Sequence, residues 1–129
     1  CNFRDNSATN NGGAVYLSDE GNVSNCNFTN NQVSASYGYG GAVWMNKGSS
    51  SIKNTVFKKN KCISKALKSH KKATKYQFSG GAIYYSSCSS NSLTGCTFEG
   101  NEASNAAGAV YGLTCGSLTI NNCVFNVLF

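Results

Sequence analysis

Two short sequence words alternate along this chain, and their repetition constrains its fold more than any other feature. The first word is Gly-Gly-Ala-Val/Ile-aromatic, which occurs at 12–16, 40–44 and 80–84 and, with Ala in place of the first Gly, at 107–111. The second is Cys-x-Phe-x-x-Asn, which occurs at 1–6, 26–31, 55–60 (where Thr55 replaces Cys) and 96–101. A fifth copy begins at Cys123, but Leu128 stands in its Asn position. Two interleaved words in a constant phase are typical of a solenoid, in which each repeat stacks on the next.

One repeat unit contains enough alternating residues for three short strands. The segment 118–120 alternates inward and outward as a strand must, and Asn121-Asn122 then breaks that parity at a corner. Alternation resumes over 123–125, and the glycine word supplies a third strand. We therefore predict an all-β chain, a right-handed parallel β-helix of about four to five coils with three short strands each. Residues 1–129 form a single segment of it, interpreted as part of a longer repeat array.

The composition agrees with stacked coils. Proline is absent and charged residues make up only 12% of the chain, which suits continuous hydrogen bonding between strands. The phenylalanines of successive units are expected to stack in one apolar core, and the asparagines to bond to their counterparts above and below. A β-sandwich is the main alternative, but a sandwich does not require the same words at the same phase.

The pairing of the glycine word with Phe-x-x-Asn resembles the repeats of the chlamydial polymorphic outer membrane proteins. It is also similar to adhesin-like repeat proteins of methanogenic archaea and some protists. The resemblance covers nearly the whole chain apart from a basic insertion, and it implies a β-helical protein of the cell surface that acts in adhesion. The long third unit and Leu128 depart from the pattern.

A cluster of lysines lies in the third unit, which is longer than its neighbours. The surplus, assigned to residues 61–77, must leave the coil as a basic insertion loop or a short helix. It could hold acidic glycans or anionic lipid by charge, or simply be a solvated loop. Nucleic acid is not expected as a partner, because no aromatic residues alternate with the lysines. The predicted binding residues of this cluster are Lys61, Lys65, Lys68, Lys71, Lys72 and Lys75.

A second candidate surface is the aromatic position of the glycine word. Parity places Ala and the aromatic residue on one face of the strand and Val or Ile on the other. If Val and Ile point inward, the aromatic side chains form an outer column suited to sugar rings; otherwise they belong to the core. Outward aromatic residues also stabilise neighbouring strands without any ligand. The column consists of Tyr16, Trp44, Tyr84 and Tyr111.

Seven cysteines suggest an oxidising compartment, and hence a secreted or cell-surface protein. Six of them fall at equivalent positions of adjacent units, where coils lie close enough for a disulfide. Stacked free thiols would fit these positions equally well, and Cys62 has no counterpart. The candidate pairs are Cys88–Cys115, which is favoured because it lies in a turn, Cys96–Cys123 and Cys1–Cys26.

Catalysis is not expected within this segment. The five acidic residues do not recur at one phase of adjacent units, as the carboxylates of a β-helical polysaccharide-cleaving enzyme would. No metal or cofactor motif is present, and no apolar stretch is long enough to span a membrane. Two sequons, at Asn22 and Asn27, are candidates for glycosylation if the protein is secreted from a eukaryotic cell.

These features predict an extracellular binding module that contacts glycans or other surface ligands. The alternative is a structural segment of a surface fibre, assembled by end-to-end stacking of coils or by continuation of the array. A carbohydrate-active enzyme scaffold is the third interpretation.

Overall fold

Four parallel sheets run side by side through the chain in a computed structural model, which describes residues 1–35, 38–64, 79–104 and 106–126. The chain visits the sheets in a fixed order and then returns to the first sheet one strand further along. The described residues make four full coils and begin a fifth. The fold is a right-handed parallel β-helix, which confirms the prediction.

Each sheet collects one strand from every coil, and neighbouring strands pair in parallel. The first sheet contains β1 (Asn2–Arg4), β5 (Asn27–Thr29), β9 (Val56–Lys58), β13 (Thr97–Glu99) and β17 (Val124–Asn126). The second contains β2 (Ser7–Ala8), β6 (Gln32–Ala35), β10 (Lys61–Ser64) and β14 (Glu102–Ala103). The third contains β3 (Val15–Leu17), β7 (Val43–Asn46), β11 (Ile83–Ser86) and β15 (Val110–Leu113). The fourth contains β4 (Gly21–Ser24), β8 (Ser50–Lys53), β12 (Ser90–Thr94) and β16 (Ser117–Asn121).

A coil therefore has four strands, and the prediction of three was wrong. The additional strands form the second sheet and follow the asparagine of the Cys-x-Phe-x-x-Asn word. Their inward positions carry Ala8, Val33, Cys62 and Ala103, small residues of three types, in a cluster separate from the main core. Because no common apolar pattern marks these strands, the sequence does not reveal them.

The phenylalanines form one column through the core. The rings of Phe3, Phe28, Phe57, Phe98 and Phe125 stack nearly parallel, with centroids 4.7, 5.0, 4.9 and 4.7 Å apart. The strand register pairs each with its counterpart in the next coil. The apolar stacking predicted from the repeat is confirmed.

The asparagines form a hydrogen-bonded ladder beside this column. The side-chain oxygen of Asn60, for example, accepts hydrogen bonds from both the backbone N–H and the amide of Asn31. Its own amide donates to the carbonyl of Phe28 and to the side-chain oxygen of Asn101. Asn6 completes the ladder by donating to Asn31. Because Asn31 and Asn60 are fully buried, these bonds replace the water that the polar groups lose.

The alanine of the glycine word points into the core, contrary to the prediction that it shares the outer face with the aromatic residue. Ala42 and Ala82 are fully buried in the main cluster, together with Val43 and Ile83. The strand begins only at the Val or Ile position, and a bend precedes it. Alternation therefore does not extend back to the alanine.

Ala107 occupies a corner position that is glycine in the other three coils. Its φ is 54°, and its counterparts Gly12, Gly40 and Gly80 have φ between 59° and 71°. A side chain in this left-handed region costs about 1–2 kcal/mol, partly offset by the greater freedom of glycine in the unfolded chain. We expect Ala107→Gly to raise the free energy of unfolding by about 0.5–1 kcal/mol in urea denaturation. Ala103→Gly, in strand β14, is the control and should be destabilising; equal effects of the two changes would contradict this account.

Candidate functional site

Five aromatic rings form a continuous run on the outer face of the third sheet. Their centroids are separated by 4.5, 5.9, 4.7 and 5.3 Å. In order along the helix axis they are Tyr16, Trp44, Tyr39, Tyr84 and Tyr111, here called the aromatic run. Val43 and Ile83 alternate with it and are buried in the main core, so the rings lie on the opposite face of the sheet, where Tyr84 is itself buried.

Tyr39 was not foreseen as a member of the aromatic run. It lies in an isolated bridge before the third sheet and places its ring between those of Trp44 and Tyr84. It belongs to neither repeated word, and only Asn11, Ser79 and Ala106 occupy its position in other coils. No signal in a single sequence distinguishes it from an ordinary turn residue.

Exposure varies strongly along the aromatic run. Tyr16 is 47% exposed, whereas Tyr84, which lies between the rings of Tyr39 and Tyr111, is only 2% exposed. The amide of Asn46 donates to the Tyr16 hydroxyl at 3.3 Å, which places a polar group beside the most exposed ring. The indole N–H of Trp44 is buried and has no hydrogen-bond partner among the described residues. Tyr16 is therefore the most accessible ring of the run.

The basic cluster is described only in part. Lys61 lies in strand β10 within the coil, paired with β6; residues 65–77 of the predicted insertion lie outside the described residues. Lys61 faces Glu102 in the strand register, and the Lys58 ammonium lies 3.9 Å from a Glu99 carboxylate oxygen. These two lysines are therefore balanced by acids of the next coil. The other predicted binding residues, Lys65, Lys68, Lys71, Lys72 and Lys75, lie outside the described residues.

Most of the cysteines occupy two columns at the corners of the coils. Cys26, Cys96 and Cys123 stand in one column with Thr55, and Cys88 and Cys115 stand in the other. Each of these thiols donates to the carbonyl two residues earlier, as the Thr55 hydroxyl does to Lys53. A thiol and a hydroxyl are thus interchangeable at these corners. All seven cysteines are free thiols in this structure, so the three disulfides stay predictions.

Cys62 is fully buried against Val33 in the second sheet and is not part of a loop. Burial raises the pKa of its thiol to about 12. A buried, protonated thiol is neither a nucleophile nor an accessible partner for another chain. Its role is that of a small core residue.

A polar group of the third coil is enclosed by the core. The Tyr85 ring points inward, fully buried, and its hydroxyl has no hydrogen-bond partner within bonding distance. Burial raises the pKa of Tyr85 well above its ordinary range, and the nearby Ser50 hydroxyl opposes that shift only in part. Ser50 instead donates to the Asn91 side-chain oxygen at 2.7 Å. In the next coil Gly112 occupies the position of Tyr85.

The remaining predicted residues form no reactive centre. Both sequon asparagines are exposed, and Asn27 donates its amide to Asn2. Among the described residues, no group of three or more histidine, cysteine or acidic side chains could hold a metal ion. No helix in the described part of the chain is long and apolar enough to cross a membrane.

Comparison with known proteins gives one family match. Residues 1–18 match the model of the Chlamydia polymorphic membrane protein repeat, a repeat of non-enzymatic outer membrane and surface proteins. Searches of curated proteins and of solved structures each found no match. The matched segment contains one copy of each repeated word, and both words recur in the later coils. The repeat match and the stacked parallel coils together fit a repeat protein of the chlamydial polymorphic membrane protein type.

Proposed function

We propose that this chain is an adhesive binding module of the cell surface, which contacts glycans through the aromatic run. The observation that supports the proposal is the concentration of five contiguous rings on one outer face. Aromatic side chains combine a large apolar surface with a polar tip, which makes them frequent anchors at binding sites.

The exposed end of the aromatic run offers both an apolar surface and a hydrogen-bonding group, and a sugar ring can contact both. The ring of Tyr16 offers an apolar surface, and Asn46 beside it offers an amide. The run extends over three coil spacings, roughly 14 Å. That length suits a short oligosaccharide laid along the helix axis, with Tyr16 as its principal contact.

The preference for a charged ligand depends on the lysines that follow Ser64 in the sequence. Lys58 and Lys61 lie beside Glu99 and Glu102, so they add little net positive field. Lys65, Lys68, Lys71, Lys72 and Lys75 have no acidic neighbour in sequence. We therefore propose that they favour acidic glycans over neutral ones by long-range attraction, an effect that salt would weaken.

A glycan array probed with the intact chain tests this function. We expect Tyr16→Ala to weaken binding to the preferred glycan by about tenfold, the loss of one aromatic contact of about 1.5 kcal/mol. Reversing the charge of the five lysines should abolish the preference for acidic glycans. Asn22→Ala, an exposed change on the fourth sheet, is the matched control and should bind normally. Binding that is absent from every glycan, or equal in all variants, would contradict the proposal.

A structural role in a surface fibre is the second candidate. The last described coil exposes Leu118, Ile120, Val124 and Phe125, a surface that a further coil of the same chain or of a second copy would cover. A cleft of about 480 Å³ lies beside Phe125 and Asn101. This role predicts filaments that grow with concentration and persist in Tyr16→Ala. Sedimentation of both proteins over a range of concentrations separates the two functions.

A further inference from the structure

We propose that Cys88 and Cys115 form a disulfide that ties the third coil to the fourth when the protein meets a small-molecule disulfide oxidant such as oxidised glutathione. The proposal does not depend on the binding function above. It concerns the corner between the third and fourth sheets, after strands β11 and β15.

Backbone hydrogen bonds on both sides hold the two cysteines opposite each other. Ser87 donates to the carbonyl of Leu113 at 2.9 Å, and Gly116 donates to the carbonyl of Cys88 at 2.8 Å. Paired strands lie about 4.8 Å apart, which is within the Cα separation that a disulfide accepts. Both thiols already point the same way, since each donates to the carbonyl two residues earlier.

The space around Cys115 distinguishes this pair from the others. Stacked strands hold Cβ atoms slightly too far apart for a disulfide, so one sulfur must lean towards the other. A Cβ placed on Gly112 would meet only the Cys115 sulfur, at 3.7 Å, so the side of Cys115 next to Gly112 is open. In the Cys96–Cys123 pair the corresponding positions hold Leu93 and Ile120. We expect those side chains to restrict the same movement.

Exposure sets the order of the chemical steps. Cys115 is partly exposed and Cys88 is buried, so the Cys115 thiolate attacks oxidised glutathione first. This step forms a mixed disulfide and releases one glutathione thiolate. The Cys88 thiolate then attacks the Cys115 sulfur, which forms the protein disulfide and releases the second glutathione thiolate. The two protein thiols are oxidised, their protons pass to solvent, and the oxidant is reduced to two thiols.

The environment of Cys88 makes the second step dependent on pH. Burial raises the pKa of the Cys88 thiol, and this cause remains when Cys115 has become a neutral mixed disulfide. Because the thiolate is the attacking species, closure of the disulfide should accelerate as the pH increases. The mixed disulfide at Cys115 should therefore be detectable at low pH and should disappear when the pH is raised.

The test is mass spectrometry of the full chain after incubation in a glutathione redox buffer. Digestion after glutamate places Cys88 and Cys96, with Cys26 and Cys62, in the fragment 21–99 and Cys115 and Cys123 in the fragment 103–129, separated by the cuts at Glu99 and Glu102. The variant Cys96→Thr/Cys123→Thr removes the competing pair, with Thr55 as the precedent for a hydroxyl at that corner. We expect this variant to yield the two fragments joined, with a mass lower by two hydrogen atoms.

The variant Cys88→Ser/Cys115→Ser is the matched control. It should give no joined fragment and the same urea midpoint in oxidising and reducing buffer, whereas oxidation should raise the midpoint of the Cys96→Thr/Cys123→Thr variant. A joined fragment that persists in the Cys88→Ser/Cys115→Ser variant but is absent from the other would overturn the proposal. So would a mixed disulfide at Cys115 that never transfers to Cys88 at high pH.

Discussion

Replacing Gly41 with alanine is expected to lower the free energy of unfolding by at least about 3 kcal/mol. Gly41 is the second glycine of its word and is buried between coils. A Cβ there would overlap the carbonyl oxygen of Gly81 and lie 2.5 Å from the carbonyl oxygen of Lys61. Both obstacles are backbone, so two strands would have to move apart and lose hydrogen bonds to relieve the contact. Urea denaturation followed by circular dichroism measures the loss.

Gly112→Ala is the matched control for this change. Gly112 lies in strand β15, and an added Cβ would make one ordinary contact, 3.7 Å from the Cys115 sulfur. Alanine also restricts the unfolded chain more than glycine does, so this variant should be neutral or more stable by up to about 1 kcal/mol. Similar losses for Gly41→Ala and Gly112→Ala would show that close backbone approach does not explain the glycine word.

Asn60→Ala is expected to cost about 4 kcal/mol of unfolding free energy, because a buried polar group left without a partner costs about 1–3 kcal/mol. The Asn60 side chain takes part in four hydrogen bonds, each 3.0 Å long, all to the coils above and below. Its removal takes the side-chain acceptor from the buried backbone N–H of Asn31 and the amide donor from the carbonyl of Phe28, while the Asn31 amide keeps its bond to the carbonyl of Phe3. The free energy of unfolding in urea is the measurement.

Two further variants separate hydrogen bonding from packing in the ladder. Asn6 is exposed, and its side chain makes a single bond to Asn31, so Asn6→Ala should cost less than about 1 kcal/mol. Asn60→Asp keeps the shape but replaces the donating amide with a second acceptor facing Phe28 and Asn101. It should be as harmful as alanine at neutral pH and less so in acid, where a protonated carboxyl donates again. Full stability of Asn60→Asp at neutral pH would refute the ladder.

The sequence predicts most of what repeats identically from coil to coil. Phe28 and Phe57 stack because they occupy one phase of the repeat, and Asn31 and Asn60 bond for the same reason. Residues that are identical at the same position of successive repeats can be assigned to one stacked column. This assignment does not require the number or arrangement of strands in a coil to be known. The fold class and the core therefore follow from the sequence.

Features that depend on how many strands a coil has, and on where each strand begins, could not be predicted from the sequence. The second sheet escaped detection because its inward residues, such as Val33 and Cys62, differ between coils. The inward alanine depends on where a strand begins, which the bend before Val43 determines and no residue type marks. Tyr39 joins the aromatic run only through its position in space.

The most direct test of the stacked-coil fold is a nuclear Overhauser measurement on protein labelled only at phenylalanine. Successive rings lie 5.0 Å apart between Phe28 and Phe57 and 4.9 Å apart between Phe57 and Phe98. The structure predicts cross-peaks between rings of adjacent coils and none between Phe28 and Phe98, which lie two coils apart. Missing cross-peaks between adjacent rings, or a direct contact between Phe28 and Phe98, would contradict the β-helix.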